Sequence, residues 1–363
     1  MLLSQTERDR RWAALTQLMD THDLEAVLVY GTSQANGHLR YLTLFAPPID
    51  SAAFVIFRDG TNILALPDGV MSYYASKTSW AETRTIGTGI ELLDCLSRKN
   101  VQRIGIAGPE GVPHHWYNGL RERLSHDDVV NISAELTKAR WIKSAEEIAL
   151  VRQSCAIADE AWAQVHDIVR GGRHAHEVLA DIEHSLRRRG CDGSFNLVIP
   201  LPDAEFDRLP PTHTLRSGDV FILEVSPQFG GYFSQLTSVI SMGPANPAMR
   251  AGFEAGVQAR AAAQSQLVPG ADLARVSQAI ATDLREHGHE MRSSDIGHLC
   301  GVELAEPRVG STSLKLQAGM VLIFHPVVAD QQYNFLMRAD TYLIHEHGAE
   351  RLTTHPTDLP ECA

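Results

Sequence analysis

Apolar and polar positions follow two rhythms along this chain, and the rhythms mark its elements. Over residues 7–22 the apolar positions Trp12, Leu15, Leu18 and Met19 recur at helical spacing, which predicts a helix. Residues 24–30 form an apolar run closed by Gly31 and read as a strand. Two further apolar runs, 52–57 and 62–66, are separated by Arg58, Asp59 and Gly60, the composition of a hairpin turn. Residues 103–107 give another short strand. Strands that alternate with helical stretches predict an α/β domain here.

The helical rhythm returns after Ser144. Ser144 with Glu147 three residues later is a capping box, and Ile148, Val151, Cys155, Ala158 and Trp162 mark one face of the helix that follows. A second helix is expected over 176–189, ended by Gly190. Another helix pair is expected over 248–266 and 271–287, broken at Pro269 and Gly270. Between the pairs, residues 215–243 read as a hairpin. Ser217, Gly218 and Asp219 make a turn, 220–225 is an apolar strand, Pro227, Gly230 and Gly231 punctuate, and 232–241 is a second strand. Each strand carries one polar intruder, Glu224 and Gln235. A carboxylate in so apolar a strand is costly unless paired or used, so Glu224 marks a candidate site.

Length and charge narrow the class. A chain of 363 residues with 44% apolar content can fill two cores, and the boundary is placed at residue 138, giving domains over 1–137 and 138–363. The formal charge of -12 argues against nucleic acid as a partner, because phosphate binding needs basic patches. No apolar run approaches a membrane span, and the first twelve residues lack the basic-then-apolar order of a signal peptide. Cys95, Cys155, Cys191, Cys300 and Cys362 are odd in number, scattered and without a C-x-x-C pair, which suits reduced thiols in a cytoplasm. His22, His38, His114 and His115 are expected to be surface or packing residues.

Several motifs carry a resemblance. Gly218-Asp219 before an apolar strand, then Gly231-Tyr232, resembles the central hairpin of the pita-bread family that holds aminopeptidase P, prolidase, methionine aminopeptidase and creatinase. Arg140, Lys143, Ser144, Glu147 and Ile148 match the R-x-x-K-S-x-x-E-I that opens the catalytic domain of the creatinase and prolidase group, and Gly297-His298 with Gly301 matches G-H-x-x-G. The resemblance implies a creatinase-type α/β N-terminal domain followed by an α+β, creatinase-like pita-bread domain. It also implies where the family's metal ligands would fall. His298 stands on the ligand histidine. Glu224 and Gln235 stand where the family has two Asp, His325 where it has a Glu, and Ala339 where it has the bridging Glu. The family's second histidine is Ala305 here, and Glu306 is kept.

A two-metal centre needs several hard oxygen ligands including a bridge, and Ala339 and Gln235 are poor or empty donors. The expected function is therefore a metal-independent, creatinase-like hydrolase or lyase, with no cofactor, acting on a C–N (amide or amidine-like) bond of a small polar, amino-acid-like molecule. Glu224 is the expected base or nucleophile, with His298 and His325 as acid/base groups. Gln235, Tyr232 and Glu306 are expected to orient substrate, and Asp207, His213 and Arg338 to line the mouth. Ectoine hydrolase, another member of the resembling family, carries a Glu at the position of Glu224 and works without metal. Creatinase also works without metal, but its catalytic positions fall near Asp207, Thr237 and Arg338. Two alternatives stand beside this: a non-catalytic binding or accessory protein, and a mononuclear metal enzyme built on His298, His325 and a carboxylate. The expected setting is a cytoplasmic homodimer that binds a small molecule, without membrane or nucleic acid.

Overall fold

The computed structural model describes residues 2–86, 89–201, 212–306, 308–309, 314–329, 332–333 and 335–363. The chain divides into two units, Met1–Arg140 and Trp141–Ala363. In the first, six strands build one sheet: β1 (Ala26–Thr32), β2 (Ser51–Phe57), β3 (Asn62–Leu66), β4 (Thr83–Thr85), β5 (Ile104–Ala107) and β6 (Val129–Asn131). Their order is β4-β3-β2-β1-β5-β6. β1 pairs antiparallel with β2 and parallel with β5, and Gly60, at a φ of 83°, turns the chain between β2 and β3.

The opening helix, Gln5–Thr21, is capped by Ser4, whose Oγ accepts from the Glu7 N–H at 3.2 Å. Its buried face is Glu7, Arg11, Leu15 and Met19 rather than the expected apolar stripe, and Trp12 and Leu18 are only half-buried. Arg11 makes that rotation tolerable. Its Nε donates to Glu7 Oε1 at 2.6 Å, its Nη1 donates to the Tyr41 carbonyl at 2.6 Å, and its guanidinium carbon lies 4.3 Å from the Tyr41 ring centroid. A buried charge that is paired and stacked avoids most of the desolvation penalty.

The second unit begins with the expected capping box. Ser144 Oγ accepts from the Glu147 N–H at 3.3 Å and Glu147 Oε2 accepts from the Ser144 N–H at 2.8 Å, opening the helix Ala145–Trp162. Its strands are β7 (Gly193–Leu201), β8 (Val220–Phe229), β9 (Tyr232–Phe233), β10 (Leu236–Met242), β11 (Glu290–Met291), β12 (Gly297–Leu299), β13 (Arg308–Val309), β14 (Val321–Phe324), β15 (Val327–Ala329), β16 (Leu336–Met337), β17 (Asp340–His345), β18 (Gly348–Arg351) and β19 (Glu361–Cys362). One sheet runs β19-β10-β8-β7 with β9 on β8, a second runs β13-β12-β14-β17-β18, and β11-β15-β16 forms a third. Helices Ala145–Trp162 and Ala175–Arg188 bury their apolar faces against Phe221, Leu223 and Val225 of β8. Helices Pro247–Gln264 and Leu273–Glu286 share the other core with Leu322, Phe324 and Tyr342. Among the described residues no helix is long and apolar enough to cross a membrane.

Candidate active site

Strand alternation aims Glu224. Phe221, Leu223 and Val225 enter the core under the first helix pair, so Ile222 and Glu224 point to the opposite face of β8. The register sets Thr237 of β10 and Leu197 of β7 beside Glu224. The carboxylate is buried, and its Oε1 accepts from Ser226 Oγ at 3.3 Å. Gln235 occupies the break between β9 and β10. Its N–H donates to Thr341 Oγ1 at 3.0 Å, and the same hydroxyl donates to the Gln235 carbonyl at 3.0 Å, which locks the backbone. Its Nε2 donates to Thr237 Oγ1 at 3.3 Å, while its buried Oε1 has no hydrogen-bond partner among the described residues.

The histidines come from two adjacent antiparallel strands. His298 is the middle residue of β12, opposite Ile323 of β14, and His325 directly follows β14, its N–H donating to the Ile296 carbonyl at 2.9 Å. Their ring centroids lie 5.2 Å apart at 61°. His298 Nδ1 is 3.3 Å from the Leu299 carbonyl oxygen. A carbonyl only accepts, so Nδ1 carries a proton, which makes Nε2 the nitrogen that presents the lone pair whenever the ring is neutral. Burial pushes the neighbouring Cys300 thiol up to about 12, so no thiolate forms beside His298 near neutral pH. All five cysteines are unpaired.

Glu224, Gln235, His298 and His325 line one cavity of about 530 Å³. Its wall is apolar: Phe195, Leu197 and Ile199 at alternate positions of β7 face Val327, Phe335 and Met337. Arg292, Ser293 and Asp295 stand on its lining as well. The Arg292 guanidinium carbon lies 4.9 Å from the Phe335 ring centroid, and Asp295 Oδ1 accepts from the Gly297 N–H at 3.1 Å. These wall residues were not foreseen from sequence. The period-two run Phe195, Leu197, Ile199 was the available signal, and it sits in a stretch interrupted by Asn196.

Four other expected site residues are not on this lining, because their polar atoms are engaged elsewhere. Tyr232 donates its hydroxyl to Glu147 Oε1 at 2.7 Å. Glu306 Oε2 accepts from Lys143 Nζ at 3.1 Å in a fully buried ion pair. His213 Nε2 lies 2.8 Å from Asp219 Oδ2, half-exposed. Arg338 Nη2 donates to His355 Nε2 at 2.7 Å. Asp207 lies outside the described residues. The donor set also bears on metal: among the described residues no group of three or more His, Cys, Asp or Glu side chains is arranged to hold a metal ion. A two-metal centre does not fit these residues. The nearest approach to a donor set is the imidazole pair with Glu224 on the same lining.

Comparison with known proteins fixes the class. The model of metallopeptidase family M24 matches residues 149–346, and that of the Creatinase/Prolidase N-terminal domain matches residues 11–142. The chain belongs to metallopeptidase family M24, with a creatinase-type α/β domain followed by an α+β pita-bread domain. Among its relatives, the Xaa-Pro dipeptidase of Pyrococcus furiosus is 26% identical over 271 residues, 72% of this chain and 76% of the relative. The Xaa-Pro dipeptidase of Pyrococcus horikoshii is 22% identical over 357 residues, 95% of this chain and 97% of the relative. The crystal structure of the prolidase from Pyrococcus horikoshii OT3 superposes with a TM-score of 0.84 at 21% identity, covering 96% of this chain and 99% of that one. Membership in a metallopeptidase family whose relatives are peptidases overturns the expectation of a metal-independent, creatinase-like hydrolase or lyase.

Proposed function

We propose that this chain hydrolyses the peptide C–N bond of a small, dipeptide-like substrate in the cavity between β8 and β14, with a single metal cation as its metal complement. The observation that carries this is the convergence of Glu224, Gln235, His298 and His325, from separate segments, on one cavity. Ionisable groups gathered in such a cleft are more often used than structural. The ligand set departs from the family pattern at Glu224, Gln235, His325 and Ala339, and with no bridging carboxylate one cation at His298 and His325 is the complement these donors can take. Such a cation, when bound, would polarise the scissile carbonyl.

The chain's own groups supply the rest. Glu224 is the carboxylate placed to take a proton from the attacking water. Glu224, once it holds that proton, is the group placed to return it to the departing nitrogen. Gln235 Oε1, buried and without a partner, accepts an N–H of the substrate and thereby recovers the hydrogen bond its burial demands. The Phe195, Leu197 and Ile199 stripe takes the substrate's apolar part. The relatives' activity makes dipeptides with proline second the first to test.

The test is release of proline from Ala-Pro, Leu-Pro and Met-Pro by protein loaded with Co2+, Mn2+ or Zn2+. Metal-dependent turnover is expected. Glu224→Gln should lower kcat by ~100-fold or more, the scale of losing a general base, with its thermal midpoint unchanged or higher. No turnover with any of these metals, or a fully active Glu224→Gln, contradicts the proposal.

A further inference from the structure

Arg338, Ala339 and Asp340 join β16 to β17, and strand alternation sends Arg338 and Asp340 to the same side. Three guanidinium groups meet a single carboxylate there. Asp340 Oδ1 accepts from Arg351 Nε at 2.9 Å and Thr353 Oγ1 at 2.8 Å, its Oδ2 accepts from Arg260 Nη2, and Arg338 Nε lies 3.4 Å from the same Oδ2. His355 adds no charge. Its Nε2 accepts from Arg338 Nη2 at 2.7 Å, so Nε2 bears a lone pair and the ring is neutral. The second carboxylate nearby, Asp159, accepts from Thr354 Oγ1 and from the Thr354 and His355 N–H groups. Among the described residues, three arginines against two aspartates leave one positive charge over.

The donor count agrees with the charge count. Arg338 and Arg260 are 4% and 5% exposed. Nε and Nη1 of Arg338 and Nε of Arg260 are buried without a hydrogen-bond partner among the described residues. Both side chains address the same Asp340 oxygen, so two like charges are held side by side out of water. Proton loss does not relieve this: burial pulls Arg338 down only to about 10, and it remains charged at neutral pH. A water molecule would satisfy the open N–H groups but leave the charge. An anion answers both.

We infer that the open N–H groups of Arg338 and Arg260 form a binding site for a small inorganic monovalent anion of the halide class. Burial of both guanidinium groups favours a small ion over a bulkier carboxylate. The site lies behind the cavity wall: Ala339, between Arg338 and Asp340, exchanges backbone hydrogen bonds with Thr237, whose Oγ1 receives the Gln235 amide.

Thermal unfolding of the full chain in sodium chloride and in sodium gluconate, at equal ionic strength, tests the site. A saturable rise of the midpoint by roughly 2–4 °C is expected in chloride, the scale of a bound ion at several times its Kd. Arg338→Met should abolish the difference between the two salts. Because that variant can fail to fold, crystals of the unaltered protein soaked in sodium bromide give a second reading, an anomalous peak against Arg338 and Arg260. Equal midpoints in the two salts, a halide effect retained in Arg338→Met, or a soak with no anomalous density at these guanidinium groups would each overturn the inference.

Discussion

Burial pushes His355 below the ordinary histidine range. Asp159 and Asp340 work to raise it, and Arg338 and Arg351 add to the lowering. A group with a depressed folded pKa is most stabilising when deprotonated. For His355 that contribution is complete above its unfolded value of about 6.5 and is lost as pH falls through the lower folded value. Asp340, which burial alone would raise, is held well below the carboxylate range by Arg260, Arg338 and Arg351, so it stays charged through that window. The thermal midpoint should therefore drop as pH falls below about 6.5, and His355→Gln should show a shallower drop than the unaltered protein. An identical pH slope in the two proteins would remove His355 from this role. The same locality explains what was legible residue by residue. Glu224 and Gln235 stood out because each interrupts an apolar strand. His298 and His325 stood out only through the motifs around them. The partners of Tyr232, Glu306 and Arg338 are Glu147, Lys143 and His355. Those pairings are made by the fold and leave no mark in the local pattern.

At the scale of elements, Gly297 controls how β12 meets β14. Its φ is 149°, and a Cβ there would lie 2.0 Å from the Ile323 carbonyl oxygen. That oxygen belongs to the ladder that sets His298 against Ile323. Gly297→Ala should thus lower stability by about 3 kcal/mol or more in urea unfolding, since neither backbone can retreat without breaking the pair. Gly60→Ala is the control: its φ is 83° with no atom within 4 Å, so only the local strain of about 1 kcal/mol is expected. Equal losses in the two variants would show that close packing at β12 is not what holds His298. The expected helices at 176–189, 248–266 and 271–287 appear as Ala175–Arg188, Pro247–Gln264 and Leu273–Glu286 because caps and breakers mark their ends. β8 runs on to Phe229, past the expected end at Val225 and through Pro227. The Pro227 carbonyl accepts there from Ser154 Oγ and from the Ser234 N–H, which ties the strand on both sides of the proline. β4 and β6 were not legible, since three-residue edge strands such as Thr83–Thr85 carry no periodic signal.

For the whole molecule, lineage and ligand chemistry point in different directions. The frame motifs, from the capping box at Ser144 to the glycines of the central hairpin, survive and fix the M24 fold. The side chains on the cavity supply two imidazoles, the carboxylates of Glu224 and Asp295, the Gln235 amide and the Arg292 guanidinium. Counting substituted ligands in the sequence led to a metal-free enzyme. Such a count cannot see that the two imidazoles are brought to a centroid distance of 5.2 Å, with Glu224 on the same lining. One cation and one proton-accepting carboxylate are the minimum with which this cavity can serve its family's chemistry. Titration of Co2+ into metal-stripped protein by isothermal calorimetry counts that cation directly. One equivalent per chain is predicted, lost when His298 and His325 are both replaced by alanine. Two equivalents, none, or one that persists in the double variant would contradict a single-metal site at these histidines.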